Sequence, residues 1–335
     1  MLPVAVEVWR GERVESRHRA SLAVVDREGR CVLAVGEPEM PVYPRSAIKP
    51  LQAIPLVESG AADAFGLEEA ELALACASHG GEPTHLRRVS AWLARLGLDE
   101  PALACGPHPP SHGPSAERLL ARGERPSRLH NNCSGKHAGM LTLARHLGAP
   151  EAGYERPEHP VQRAVRAVLD ALTDGGPLDP PAIDGCGVPT WAMPLRALAL
   201  AFARFGTPDG LPPPRAEACR RIALAMLREP LMVAGSGRLC TALLELGGGV
   251  IAKTGAEGVY AAALPGSGLG LALKVEDGAA RAAEVALLAA LARLGWLAGP
   301  VSRDLARFAR PTLRNHAGTV VGGIRPAPGW LEEPA

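Results

Sequence analysis

The chain has no surplus charge of either sign: 36 lysines and arginines stand against 35 aspartates and glutamates. That balance excludes the basic stripe of a nucleic-acid binder and the acidic run of an interaction tail. No stretch supplies eighteen apolar residues free of charge and of Gly or Pro breaks, so no membrane span is expected. The opening residues Met1-Leu2-Pro3-Val4-Ala5-Val6-Glu7 lack a basic segment followed by a long apolar core. No secretory signal is read there, and a cytoplasmic location is expected. Cys-x-x-Cys is absent, and the seven cysteines are odd in number and widely spaced. A disulfide framework is therefore not expected, and most thiols read as small buried apolar groups. Aromatic residues are few, five Trp, three Tyr and four Phe, beside 38 Gly and 32 Pro. The Gly and Pro are spread between apolar segments, which reads as many tight turns rather than low complexity. There is no internal repeat.

What is present is enough apolar material for a substantial core, 47% of 335 residues, in one large domain or two smaller ones. Val4 to Trp9 alternates as a strand. Ser21 to Asp26 and Cys31 to Val35 flank Arg27-Glu28-Gly29-Arg30 as a hairpin. Leu51 to Gly60 reads as a short helix despite Pro50 and Pro55, which looks like a local rule broken at a functional place. Helical spacing then covers Leu67–Ala77, Thr84–Leu96, Ser115–Arg122, Lys136–Leu147, Pro160–Leu172, Met193–Phe205 and Arg215–Arg228. Strands return at Gly249–Lys253, Gly258–Ala263 and Gly270–Val275, the last two joined by Pro265-Gly266-Ser267-Gly268, and Ala279 to Leu297 is a long helix. From Pro311 the tail reads as irregular apart from Thr319 to Ile324. Without strict β-α-β alternation, a doubly wound parallel sheet is not expected. The order predicts an α+β fold: a mostly antiparallel sheet built from the N- and C-terminal strands, with a helical region at about 60–230 packed over it within a single domain, 1–335.

Four patches carry possible chemistry. Ser46-Ala47-Ile48-Lys49 is the one Ser-x-x-Lys in the chain. On a helical turn, positions i and i+3 share a face, and a lysine of lowered pKa can take a serine's proton. Backbone N–H groups of a helix starting there could serve an oxyanion. The bland alternative is a surface turn. Cys76-Ala77-Ser78-His79-Gly80-Gly81-Glu82 has two glycines that would let backbone approach a ligand, or is a helix stop with a polar cap. His130-Asn131-Asn132-Cys133-Ser134-Gly135-Lys136-His137 is too dense in polar and reactive groups for a plain loop. Its histidines are metal-ligand types, or hydrogen-bonded loop residues. Asp184-Gly185-Cys186-Gly187-Val188-Pro189 sets a cysteine between two glycines, accessible to a partner. Lys253-Thr254-Gly255 ends a strand, like the third element of the serine β-lactamase signature, but no Ser-Asp-Asn accompanies it.

Taken together, R-S-A-I-K-P at 45–50, C-A-S-H-G-G-E at 76–82, N-N-C-S-G-K-H at 131–137, D-G-C-G-V-P at 184–189 and K-T-G-A-E-G at 253–258 resemble the rhizobial-type bacterial L-asparaginases, the asparaginase II family. The resemblance implies a fold like serine β-lactamases, penicillin-binding proteins and glutaminases, and hydrolysis of L-asparagine to L-aspartate and ammonia through an acyl-serine. It implies Ser46 as nucleophile with Lys49 as base, Ser78 paired with Lys253, and zinc held by Cys133, Lys136 and Cys186. Arg45, His137 and Asp184 would lie beside substrate or metal. A homodimer is expected, with asparagine as the small-molecule partner. The alternatives are a glutaminase or other small-amide hydrolase, a zinc hydrolase whose metal-bound water attacks, and a non-catalytic amino-acid-binding or cell-wall-sensing module.

Overall fold

The computed structural model describes residues 1–246, 249–297 and 303–332. Its strands, in chain order, are β1 (Val4–Arg10), β2 (Arg13–Asp26), β3 (Cys31–Val35), β4 (Pro41–Val42), β5 (Leu178–Ile183), β6 (Pro189–Pro194), β7 (Ile251–Thr254), β8 (Val259–Leu264), β9 (Leu269–Val275), β10 (Thr312–Arg314) and β11 (Val320–Pro326). Eight make one sheet in the order β10-β11-β1-β2-β9-β8-β7, with β3 also on β2. Every pairing in it is antiparallel. The sheet draws only on the two ends of the chain, and the helices from Lys49–Gln52 to Leu239–Glu245 lie between them in sequence. This is the expected α+β arrangement.

Period-two alternation decides what each face covers. Ala23 and Val25 of β2, and Val259, Ala261 and Ala263 of β8, join the core shared with the helical middle. Leu22 and Val24, and Tyr260, Ala262 and Leu264, join the core under the helix Ala280–Arg293. Small residues on the first face let the helix Leu195–Gly206 come close. A Cβ on Gly270 would stand 2.0 Å from the Ala199 carbonyl oxygen and 2.3 Å from the Ala203 nitrogen.

The structure departs from the sequence reading in four places. Strand β2 begins at Arg13, because Arg13 to Arg19 carries charges on a largely exposed stretch and shows no apolar alternation. Pro50 and Pro55 break no rule: each sits in the first turn of its own helix, Lys49–Gln52 or Ile54–Glu58, where no N–H is required. Strands β5 and β6 form a small sheet in the order β4-β6-β5. Their prolines hid them, and β5 bears Pro180 and Pro181 on an edge, where ladder donors can be spared. The tail is more regular than expected: the run Thr319 to Ile324 matches the strand β11, and β10 pairs with it. Gly322 is one reason, since a Cβ there would lie 1.9 Å from the Trp9 carbonyl oxygen. Residues 333–335 of the expected domain lie outside the described residues.

Replacing Gly270 by Ala should force the helix Leu195–Gly206 off the sheet. We expect a loss of at least about 1–3 kcal/mol in urea-unfolding free energy; an unchanged midpoint would show that the contact yields freely.

Candidate active site

Strand β7 is the last of the sheet, and its register places Lys253 opposite Ala261. Lys253 shares a strand face with Ile251, which lies in the core toward the helical middle, so its side chain enters the interior between the layers. Two residues on, Gly255 abuts the turn that carries Ser46. A Cβ on Gly255 would lie 2.6 Å from the Pro44 carbonyl oxygen and 3.3 Å from the Ala47 nitrogen.

Arg45–Ile48 is a 3₁₀ turn feeding the helix Lys49–Gln52. Arg45 has φ +51°, a left-handed conformation that strains a long side chain. Its guanidinium Nε donates to Asp184 Oδ1 at 2.6 Å, which ties the turn to the tip of the β5–β6 hairpin. The Ala47 N–H is taken by the Pro44 carbonyl at 3.1 Å and so is not free for an oxyanion. Ser46 is half-buried.

Lys49 turns inward. Its Nζ donates to the Ala77 carbonyl at 2.5 Å and to Ser78 Oγ at 3.0 Å. Lys253 Nζ donates to the same Ser78 oxygen at 2.8 Å and to the Thr254 carbonyl at 3.0 Å. Two amines, both fully buried, therefore meet on one hydroxyl. No hydrogen bond joins Lys49 to the Ser46 hydroxyl among the described residues. Burial, and then the charge of Lys49, bring the pKa of Lys253 from the ordinary lysine value down to about 7.

Ser78 is held by its backbone, whose N–H donates to the Val233 carbonyl at 2.9 Å. Next to it, burial carries His79 well below the usual imidazole range, aided by the charges of His85 and Lys49. The Gly81 N–H donates to His79 Nδ1 at 3.2 Å, so Nε2 bears the proton and donates to Ser134 Oγ at 2.9 Å. Ser134 opens the helix Ser134–His146 and donates to the Leu129 carbonyl. Gly80 and Gly81 do not open backbone to a ligand. They let the loop pass against Pro110 and His112. Glu82 accepts from the N–H and hydroxyl of Ser236 at 2.7 and 2.8 Å, fastening the end of the segment.

On the first turn of Ser134–His146, Lys136 Nζ donates to Cys186 Sγ at 2.9 Å. Cys186 sits at the hairpin tip, yet it is buried, not accessible as its flanking glycines suggested. Hydrogen bonding with Cys186, then burial, push the Cys133 thiol well up, while that same hydrogen bond and the Lys136 ammonium hold Cys186 down as a thiolate. Burial pulls Lys136 down, but the Cys186 and Cys133 charges outweigh it and carry it above the usual ammonium range. Cys133 is oriented by Asn131, whose Oδ1 accepts from its N–H at 2.9 Å. His137 is fully buried, and burial lowers its pKa. Among the described residues no group of three or more His, Cys, Asp and Glu side chains is arranged to hold a metal ion; this cluster takes its third donor from a lysine.

Of the ten residues singled out in the sequence, only Arg45, Ser46 and Asp184 are not buried. A cleft of about 500 Å³ lined by Leu67, Arg88, Arg221 and Glu229 belongs to the helical layer and shares none of these residues.

A family model described as L-asparaginase II matches residues 6–326. The chain belongs to the L-asparaginase II family. Comparison with curated protein sequences gives no match. Among solved structures, the native form of Mglu is 16% identical with a TM-score of 0.44, over 82% of this chain and 63% of that one. The chain thus spans under two thirds of Mglu. A Bacillus glutaminase is 13% identical with a TM-score of 0.42, over 84% of this chain and 92% of that one. A β-lactamase from Mycobacterium bovis is 14% identical with a TM-score of 0.38, over 82% and 94%. Likeness at this level transfers no residue roles. No helix among the described residues is long and apolar enough to cross a membrane.

Motif reading missed the bridge from His79 to Ser134 and the fastening role of Glu82. One signal in the sequence pointed to the site: the chain has four lysines, Lys49, Lys136, Lys253 and Lys274, and the first three are buried in it.

Proposed function

We propose that this asparaginase II family member hydrolyses L-asparagine to L-aspartate and ammonia through an acyl-serine on Ser46. The observation that carries the reading is the convergence of two buried amines on Ser78, one of them three residues after the half-buried Ser46. Ser46 Oγ attacks the side-chain carbonyl carbon, and its proton passes by relay through Lys49 Nζ and Ser78 Oγ to the neutral amine of Lys253, each group of the relay giving one proton as it takes one. The link to Ser46 forms when substrate is bound, because catalytic hydrogen bonds tighten in the Michaelis complex. When the tetrahedral adduct collapses, the C–N bond breaks and the amine returns that proton to the leaving nitrogen, which departs as ammonia. Water then adds to the acyl-serine, gives a proton to the same amine, and Ser46 recovers it as aspartate leaves. The Arg45 guanidinium, ion-paired with Asp184 at the mouth, suits the substrate carboxylate.

Cys133, Lys136 and Cys186 fit a zinc site by donor type: two thiols and an amine, all buried and in mutual contact. Bound there, zinc would order the His137 loop and help orient the substrate. It would replace the protons now held by Cys133 and Lys136, since both donors must be deprotonated to bind it. The expected homodimer and cytoplasmic location go with this reading.

A second reading makes Ser78 the nucleophile, because the lysine hydrogen bonds converge on its hydroxyl. Quenching a steady-state reaction with asparagine and mapping the acylated peptide separates the two. The adduct is expected on Ser46, with Ser46→Ala lowering ammonia release at least about 10³-fold. An adduct on Ser78 favours the second reading, and no adduct with Ser46→Ala fully active rejects both. Wild-type protein should carry about one zinc per chain and Cys186→Ala much less; equal metal content in the two would remove zinc from the account.

A further inference from the structure

Ser78 and Lys253 reach each other from separate elements, and one short segment is tied to both. Residues 231–236 run along the helix Pro230–Ala234 into an exposed turn. Three ties hold them to the Ser78 side. The Val233 carbonyl accepts the Ser78 N–H at 2.9 Å. The buried His85 accepts the Glu82 N–H on Nδ1 at 3.1 Å, so Nε2 bears the proton and donates to the Leu231 carbonyl at 2.9 Å. The Glu82 side chain accepts the Ser236 N–H and hydroxyl at 2.7 and 2.8 Å. Burial alone would raise that carboxyl, but the two Ser236 bonds outweigh it and hold it below the usual range. Glu82 is therefore the one charged group in these ties, and hydrogen bonds to a charged acceptor are the strong ones.

On the other side the segment leads into the helix Leu239–Glu245. The buried Thr241 hydroxyl of that helix donates to the Gly235 carbonyl at 2.6 Å. Leu239, Cys240 and Leu243 share a core with Ala252, the neighbour of Lys253 on β7. Between the two anchorages there is no slack. Gly235 has φ +94°, and a Cβ there would stand 2.6 Å from Glu82 Oε1 and 3.2 Å from the Gly80 nitrogen.

We propose that Glu82 is a positioning residue: by fastening residues 231–236 it fixes how closely Ser78 Oγ stands to Lys253 Nζ. The carboxylate makes no hydrogen bond to either group among the described residues. It acts through the Val233 carbonyl on one side and the helix Leu239–Glu245 on the other. The consequence for turnover rests on the amide-hydrolase reading, whereas the spacing of Ser78 and Lys253 does not. Once unfastened, hydroxyl and amine drift apart, and about 1 Å of misplacement is enough to slow a reaction heavily.

The test compares Glu82→Ala with Glu82→Gln in the full chain. Gln keeps an oxygen for the Ser236 N–H and offers an N–H to the Ser236 hydroxyl, but it carries no charge. Glu82→Ala should lower kcat by about 10- to 10²-fold, with KM held within about twofold, the pattern of a group that matters only as the transition state forms. Glu82→Gln should bring kcat back to within about threefold of wild type. Without substrate, the ¹⁵Nζ resonance of Lys253, assigned by its loss in Lys253→Met, should shift in Glu82→Ala and return in Glu82→Gln. Thr241→Val cuts the same line at the Gly235 carbonyl and should shift that resonance too, which serves if Glu82→Ala does not fold. An unmoved resonance in the folded variant overturns the proposal. So does a Glu82→Gln loss equal to that of Glu82→Ala, the mark of a charge rather than a fastening. Wild type that releases no ammonia from asparagine, with a resonance that still shifts, rejects the hydrolase reading and supports the fastening.

Discussion

Two ammonium groups cannot comfortably share one buried hydroxyl. Lys49 and Lys253 each lie within 3.0 Å of Ser78 Oγ, so their nitrogens are no more than about 6 Å apart. At an effective interior dielectric near 20, two like charges at that separation repel by about 3 kcal/mol, or about two pKa units. Desolvation adds to this, because neither side chain has solvent exposure and neither has a carboxylate partner among the described residues. The relief is for one amine to give up its proton, and the pKa of Lys253 falls accordingly. A neutral amine near pH 7 is what acyl transfer requires and what an isolated lysine does not provide.

The fold exists, in this sense, to hold that conflict in place. Lys253 comes from the edge strand of a sheet made by the chain's ends. Lys49 comes from the short helix that follows β4, and Ser78 from the loop after Glu69–Ala75. Three contacts lock their approach: Gly255 against the Pro44–Ala47 backbone, the Ser78 N–H on Val233, and His79 bridging to Ser134. The last joins the lysine pair to the helix that carries Lys136 and His137. The Arg45–Asp184 ion pair closes the same region from outside and holds Arg45 in a conformation it would not adopt alone.

Much of the fold was legible because alternation and helical spacing survive wherever a segment buries one face. The seven helices read between Leu67 and Arg228 all appear, within a few residues at each end. Strands failed to show where the pattern is carried by something other than apolar residues: charges in Arg13–Arg19 and prolines in β5. The site residues could be named from local motifs, but their partnerships could not. The spacing of Ser46 and Lys49 suggested a direct pair, whereas Lys49 reaches across 29 positions to Ser78.

The account stands most directly on the protonation of the lysines themselves. With only four in the chain, ¹⁵N-lysine NMR across pH 5 to about 11 can follow each Nζ against the ordinary lysine value of about 10.4. One resonance should titrate near 7 and vanish in Lys253→Met. If no lysine titrates below about 9, the buried pair is not in conflict, no neutral amine stands ready beside Ser78, and the account is wrong at its centre.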